Sequence, residues 1–218
     1  MGTSAGGLPS TIALPVDREL VVKRSRFLAH LSPVASVAEA DAVVARVRKE
    51  HWDARHHCVA LVVGPHADQQ RSTDDGEPSG TAGVPMLEVL RHREVTDVVA
   101  VVTRYFGGVL LGAGGLVRAY STAVGDALDV ARVVRRAVRT AVTVDVPHAQ
   151  AGRLHGVLQD WAGAHDAVLA GVEYQEVARF SLLVAPADLD RFDADLAAAS
   201  AGALTARRGE ERVVDLDR

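Results

Sequence analysis

The chain has 218 residues, 48% hydrophobic and 24% charged, an ordinary globular composition and enough for one large domain or two small ones. No apolar run approaches the ~20 residues of a membrane span, and one cysteine, Cys58, excludes an internal disulfide and a cysteine-based zinc cluster. Net charge is −4, but residues 1–140 carry 17 Lys/Arg against 15 Asp/Glu while residues 141–218 carry 7 against 13, so any RNA contact must be a local basic patch rather than a global field.

The start, MGTSAGGLPSTIALP, has neither a basic region nor a long apolar core; the expectation is a flexible tail over residues 1–17 on a cytoplasmic protein with no membrane partner. RSRFLAHL (24–31) alternates as a half-buried strand does. Ser36 and Glu39 have capping-box spacing and open a helix with Ala40, Val43, Val44 and Val47 on one face. HCVALVV (57–63), closed by Gly64-Pro65, predicts a buried strand. Residues 65–84 read as loop by composition. Pro85 can start a short helix through Leu90, and DVVAVVTRY (97–105) is a second buried strand. Helical spacing then runs from Leu116 to Leu128 and stops before Arg132. A short linker over Arg132–Thr140 leads to a second unit: strand 141–146, a helix with Leu154, Val157, Leu158 and Trp161, strands 167–172 and 177–184, a helix with Leu189, Phe192 and Leu196, then ALTA and ERVVDL separated by a turn-like RRGEE. The order β-α-β-β-α-β is ferredoxin-like.

Five glycines, Gly107, Gly108, Gly112, Gly114 and Gly115, stand between the second buried strand and the helix after it. They are not a P-loop, because Ala113-Gly114 occupies the Lys-Ser/Thr positions, nor a dinucleotide fingerprint, because Val117 replaces the last glycine. What remains is a bare helix N-terminus with free N–H groups and partial positive charge. At least one of these glycines is expected at positive φ. Arg104 precedes the turn, and Arg118 lies near the helix start, where the dipole prefers acids. Arg71-Ser-Thr-Asp74-Asp75-Gly76-Glu77-Pro78 supplies an acidic loop that can pair with these arginines, hold a ligand, or serve metal or acid–base chemistry. The expectation is that residues 74–77 lie against the helix start with Arg104 or Arg118 in hydrogen-bond reach. His56 and His57 point to opposite strand faces and make poor chelators beside Cys58. Tyr105 and Tyr120 can stack a base or simply pack.

In this order and spacing, RSRFLAHL, DARHHC, DDGEPSGTAGVPML and VVTRYFGGVLLGAGGLVRAYS closely resemble the Impact family, in its bacterial YigZ branch, over about residues 18–130. The stretch from about 141 resembles that family's small C-terminal domain. One departure is His57, where the family pattern has asparagine. The resemblance implies an α+β chain: an N-terminal domain (18–135) like domain 2 of ribosomal protein S5, and a ferredoxin-like C-terminal domain (141–218). That pairing is similar to domains IV and V of elongation factor G, which act on the ribosome, and the eukaryotic Impact protein regulates translation under stress. The expected function is therefore a non-enzymatic, translation-associated regulator that binds ribosome, RNA or a translation factor; the alternative is a hydrolase or phosphate-substrate enzyme using the Asp/Glu/Arg cluster. Candidate binding residues are Arg104, Tyr105, Gly107, Gly108, Gly112, Gly114, Gly115, Arg118, Tyr120, Asp74, Asp75, Glu77 and His56. No catalytic residue is assignable, and neither metal nor cofactor is expected.

Overall fold

The computed structural model describes residues 8–216. Its elements, in chain order, are β1 (Thr11–Ile12), β2 (Val16–Val22), β3 (Ser25–Pro33), α1 (Val37–Glu50), β4 (His56–Val63), β5 (Gln69–Thr73), α2 (Gly83–His92), β6 (Val98–Tyr105), α3 (Ala113–Val130), β7 (Val133–Val134), β8 (Arg136–Val146), α4 (His148–Ala164), β9 (Val168–Tyr174), β10 (Ala178–Val184), α5 (Leu189–Ala199) and β11 (Ala206–Asp215). The chain divides after Arg136 rather than over 135–141, and Asp215 groups with the first unit.

In the first unit an antiparallel sheet has the order β2-β3-β6-β4-β5. Its centre is β4 and β6, whose near-continuous β-branched runs are buried on both faces. Alternation divides those runs between two cores. Phe27, Ala29, Ala60, Ala100 and Val102 meet Met86 and Leu90 of α2 and Leu116, Tyr120 and Val124 of α3. Val59, Leu61, Val99 and Val101 meet Ala40 and Val47 of α1. Ser36 caps α1 by accepting from the Glu39 N–H at 3.2 Å, and the Glu39 carboxylate accepts from the Ala35 N–H at 2.8 Å.

Several expectations change. Residues 1–7 of the predicted tail lie outside the described residues, and 8–17 are not a tail: β1 pairs with β7 and buries Ile12. The linker expected over Arg132–Thr140 holds β7 and the start of β8. Within the predicted loop 65–84, Gln69–Thr73 pairs with β4 as an edge strand. α2 and α3 begin before Pro85 and Leu116, at Gly83 and Ala113.

The second unit is β8-α4-β9-β10-α5-β11 with sheet order β11-β8-β10-β9, the ferredoxin-like order 4-1-3-2. Val142, Val144, Phe180 and Leu182 pack against Leu154, Leu158, Phe192 and Leu196 from α4 and α5. RRGEE is not a turn: it runs inside one continuous strand, β11.

Candidate functional site

The loop between β5 and α2 turns its three carboxylates inward. Asp74 accepts from the backbone N–H groups of Gly80 (2.8 Å), Ala82 (3.0 Å) and Gly83 (2.8 Å), so it caps α2 from across the loop. Burial alone would raise its pKa; the three N–H donors outweigh burial and hold the carboxyl below its ordinary value. Asp75 accepts from Arg48 Nη2 at 2.6 Å and from the His57 N–H at 2.7 Å. Its carbonyl accepts from His56 Nδ1 at 2.9 Å. The His57 ring is buried and donates through Nε2 to the His51 carbonyl at 3.1 Å; burial pulls its pKa below the ordinary imidazole value.

Glu77 lies deepest. Its side chain is 3% exposed, against 7% for its partner Arg104. Arg104 Nη1 donates to both carboxylate oxygens, at 2.7 and 3.0 Å, and the Tyr120 hydroxyl donates to Oε1 at 2.7 Å. The guanidinium is further held near the Phe27 and Phe106 rings, 5.4 and 5.6 Å from their centroids. Cys58 donates its thiol to the Asp74 carbonyl, and burial pushes the thiol pKa up to about 12. Burial likewise raises the Tyr120 hydroxyl. A thiol that stays protonated is no nucleophile, and carboxylates this fully occupied are poor bases.

The expected contact between residues 74–77 and the third helix is thus made through Arg104 and Tyr120. Arg118 takes no part: it is exposed on α3 and has no ion pair or hydrogen bond among the described residues. Arg104 is a buried brace rather than an exposed contact, and Tyr120 packs edge-on against Phe27 instead of offering a stacking face. Tyr105 faces the other way, donating to Asp53 Oδ1 at 2.9 Å. Among the described residues no three His, Cys, Asp or Glu side chains are grouped to hold a metal.

The glycine turn itself is open. Phe106 is 52% exposed and Leu110 83%. Gly108 and Gly112 have φ of +83° and +70°, as expected of at least one of the five, while Gly114 and Gly115 lie inside α3. Gly112, with ψ of 167°, occupies a region that only glycine enters without strain, so α3 starts without a side-chain cap. Gly107 is bare for another reason: a Cβ there would overlap the carbonyl of Arg24 and the nitrogen of Ser25. Its own N–H donates to Ser25 Oγ at 3.1 Å.

That close approach identifies residues the sequence reading missed. Lys23 and Arg24 form the two-residue turn between β2 and β3, with φ of +47° and +69°. A turn of this hand normally takes Asn-Gly. Two side-chain-bearing residues there cost about 1–2 kcal/mol each, yet the position displays two exposed cations on a turn whose Arg24 backbone lies against Gly107. The sole trace in the sequence is a basic pair between two apolar stretches.

Known proteins cover both units. The Impact N-terminal domain model matches residues 23–128, and a domain of unknown function, DUF1949, matches 144–203. IMPACT family member YvyE of Bacillus subtilis is 38% identical over 194 residues, 89% of this chain and 88% of that protein; IMPACT family member YigZ of Escherichia coli is 40% identical over 194 residues, 88% and 93%. Protein IMPACT of Bos taurus is 35% identical over 105 residues, 45% of this chain and 32% of that protein. A solved structure titled as a hypothetical protein superposes with a TM-score of 0.61 at 38% identity, covering 95% of this chain and all of its own. With both units matched and its bacterial relatives aligned along nearly all of it, the chain belongs to the IMPACT family.

Proposed function

We propose that this protein is a non-enzymatic regulator that binds the translation machinery, whether ribosome, RNA or a translation factor, through one end of its N-terminal unit. The observation that carries the reading is the contrast at that end: the acidic loop is fully satisfied internally, while the Lys23-Arg24 turn, Phe106, Leu110 and the uncapped start of α3 are left to solvent. Exposed cations, an exposed aromatic ring and free helix N–H groups suit an anionic partner such as phosphate. The relation to eukaryotic IMPACT proteins, to which the sequence resemblance assigns translational regulation, points the same way. An enzyme built on the Asp/Glu/Arg cluster would need a free carboxylate or an ionisable thiol, and Asp74, Asp75, Glu77 and Cys58 supply neither.

Co-sedimentation with ribosomes of the parent cell across a salt series tests this. Association should weaken as salt rises. The exposed triple variant Lys23→Ala, Arg24→Ala, Arg118→Ala should lower it and flatten the salt slope, with unfolding unchanged. Equal association of variant and parent would refute this site.

A further inference from the structure

The β2–β3 turn, the end of β6 and the start of β4 stand side by side at one end of the five-stranded sheet. Val22 pairs with Ser25, Arg26 with Tyr105, and Arg104 with His56. Neighbouring strands lie about 5 Å apart, so what these four strands display there shares a strip about 15 Å long. Lys23, Arg24 and Phe106 belong to the surface already proposed for recognition; the loop entering β4 extends it. Trp52 in that loop, one of the chain's two tryptophans, is 81% exposed.

The loop that displays Trp52 is fastened on both sides. The His51 carbonyl accepts from the Ala54 N–H at 3.0 Å and from His57 Nε2 at 3.1 Å, which closes a turn around Trp52. Asp53 accepts from the Tyr105 hydroxyl at 2.9 Å, tying the turn to the last residue of β6. A large ring left to water on a fixed backbone loses little freedom when a flat partner covers it.

Most charges along the strip are already committed. Arg26 pairs with Glu19, Arg48 with Asp75, and Arg104 is buried against Glu77. Asp53 is held by Tyr105, His51 Nδ1 lies 3.3 Å from the same hydroxyl, and His56 donates to the Asp75 carbonyl. At the end of α1, Lys49 and Glu50 carry opposite charges side by side. Lys23, Arg24 and Arg55 are exposed and have no ion pair or hydrogen bond among the described residues. Three free cations therefore share the strip with two exposed rings, Trp52 and Phe106.

A protein interface centres on an apolar patch depleted of charge, but Trp52 has Glu50, Asp53 and Arg55 around it in the chain. Cations interleaved with rings suit a single nucleic-acid strand, which offers phosphates to the cations and base faces to the rings. A duplex offers the phosphates but keeps its bases stacked on one another. We propose that the partner of this surface is single-stranded RNA, a step that rests on the recognition surface proposed above. One base stacks on Trp52 and another on Phe106, and Lys23, Arg24 and Arg55 meet the phosphates.

Titration of the full chain with a short oligoadenylate at low salt tests this, read by tryptophan emission and by anisotropy of the labelled strand. Binding should saturate, weaken as salt rises, and quench the exposed indole; the other, Trp161, is buried in the second unit. Annealing the strand to oligouridylate should weaken binding at least tenfold. Trp52→Ala should weaken it about tenfold, within the usual worth of one base–aromatic stack, and leave Tm unchanged. Trp52→Phe should bind within a few-fold of the parent yet lose the quenching. No saturable binding, equal binding of the duplex, or undiminished binding by Trp52→Ala overturns the proposal. Ribosome co-sedimentation separates that failure from failure of the surface. If Lys23→Ala, Arg24→Ala, Arg118→Ala sediments less than the parent while no oligonucleotide binds, the surface stands and RNA is not its partner. If the triple variant sediments like the parent and no oligonucleotide binds, both fall.

Discussion

Two helices of the N-terminal unit begin at glycine-rich loops, and their starts are built in opposite ways. At α2, Asp74 reaches back to the N–H groups of Ala82 and Gly83, so the positive end of the helix is met by a carboxylate. At α3, Gly112 supplies no side chain and the first turn contains no acid. The same chain that caps one terminus leaves its neighbour open. Free N–H groups facing water cost stability relative to a capped end, about 1 kcal/mol by the usual scale of a lost cap. The comparison teaches that the acidic loop serves stability, while the glycine turn is left open, which is the end the proposed function assigns to recognition.

The largest expected effect breaks the stable side of that comparison. Arg104→Ala leaves Glu77 buried without its cation, and removal of one partner of a buried pair costs about 3–5 kcal/mol; a urea midpoint close to that of the parent would show that Glu77 is not held as described. Gly107→Ala forces the turn away from Arg24 and should cost about 2–3 kcal/mol, whereas Gly114→Ala, where nothing crowds the added methyl, should be neutral or stabilising. Equal urea midpoints for the two variants would deny the close approach.

Asp74→Asn should lose about 1–2 kcal/mol by weakening the remote cap of α2. The pH dependence has a matching sign. His57 and Asp74 both have folded pKa values below their unfolded ones, so each contributes stability that is present above its unfolded value and is lost as pH falls through the folded one. Stability should therefore decline first below about pH 6.5 and again below about pH 4, and Asp74→Asn should shrink the second decline, to which Glu19 and Asp145 also contribute. The smallest effect sharpens the contrast directly. Gly114→Asp places an acid in the first turn of α3 and should raise stability by about 0.5 kcal/mol through the dipole while weakening ribosome co-sedimentation. A variant that gains stability and loses no association would separate the helix start from recognition.

What the sequence made legible follows from where apolar side chains had to go. β4 and β6 are buried on both faces, and their runs of Val, Ala and Leu declared them; α1 declared itself through Ser36 and its apolar stripe. Besides the two-residue β1 and β7, the strands that escaped notice, β2 and β5, are sheet edges, as is β11, whose middle read as a turn; Asp17-Arg18-Glu19, Gln69-Gln70-Arg71 and Arg207-Arg208 face water. An edge bonded on one side and solvated on the other needs no apolar alternation, so its pattern resembles a loop. Within the site, pairing of the acidic loop with Arg104 was readable from charge and order. The separation of Arg118 from that pairing was not, because helical phase alone decides it. Nor was the Lys23-Arg24 turn, since a left-handed backbone at residues other than glycine leaves no mark in composition.

The state of Cys58 has a consequence for how this molecule can be watched. It is the chain's single cysteine, it is fully buried, and its thiol is held protonated against the Asp74 carbonyl. Oxidants and alkylating reagents act on accessible thiolate, so the folded chain should be silent toward them. Labelling can then proceed only through excursions that open the core beneath the acidic loop, and its rate becomes a clock for those openings in the unmodified protein.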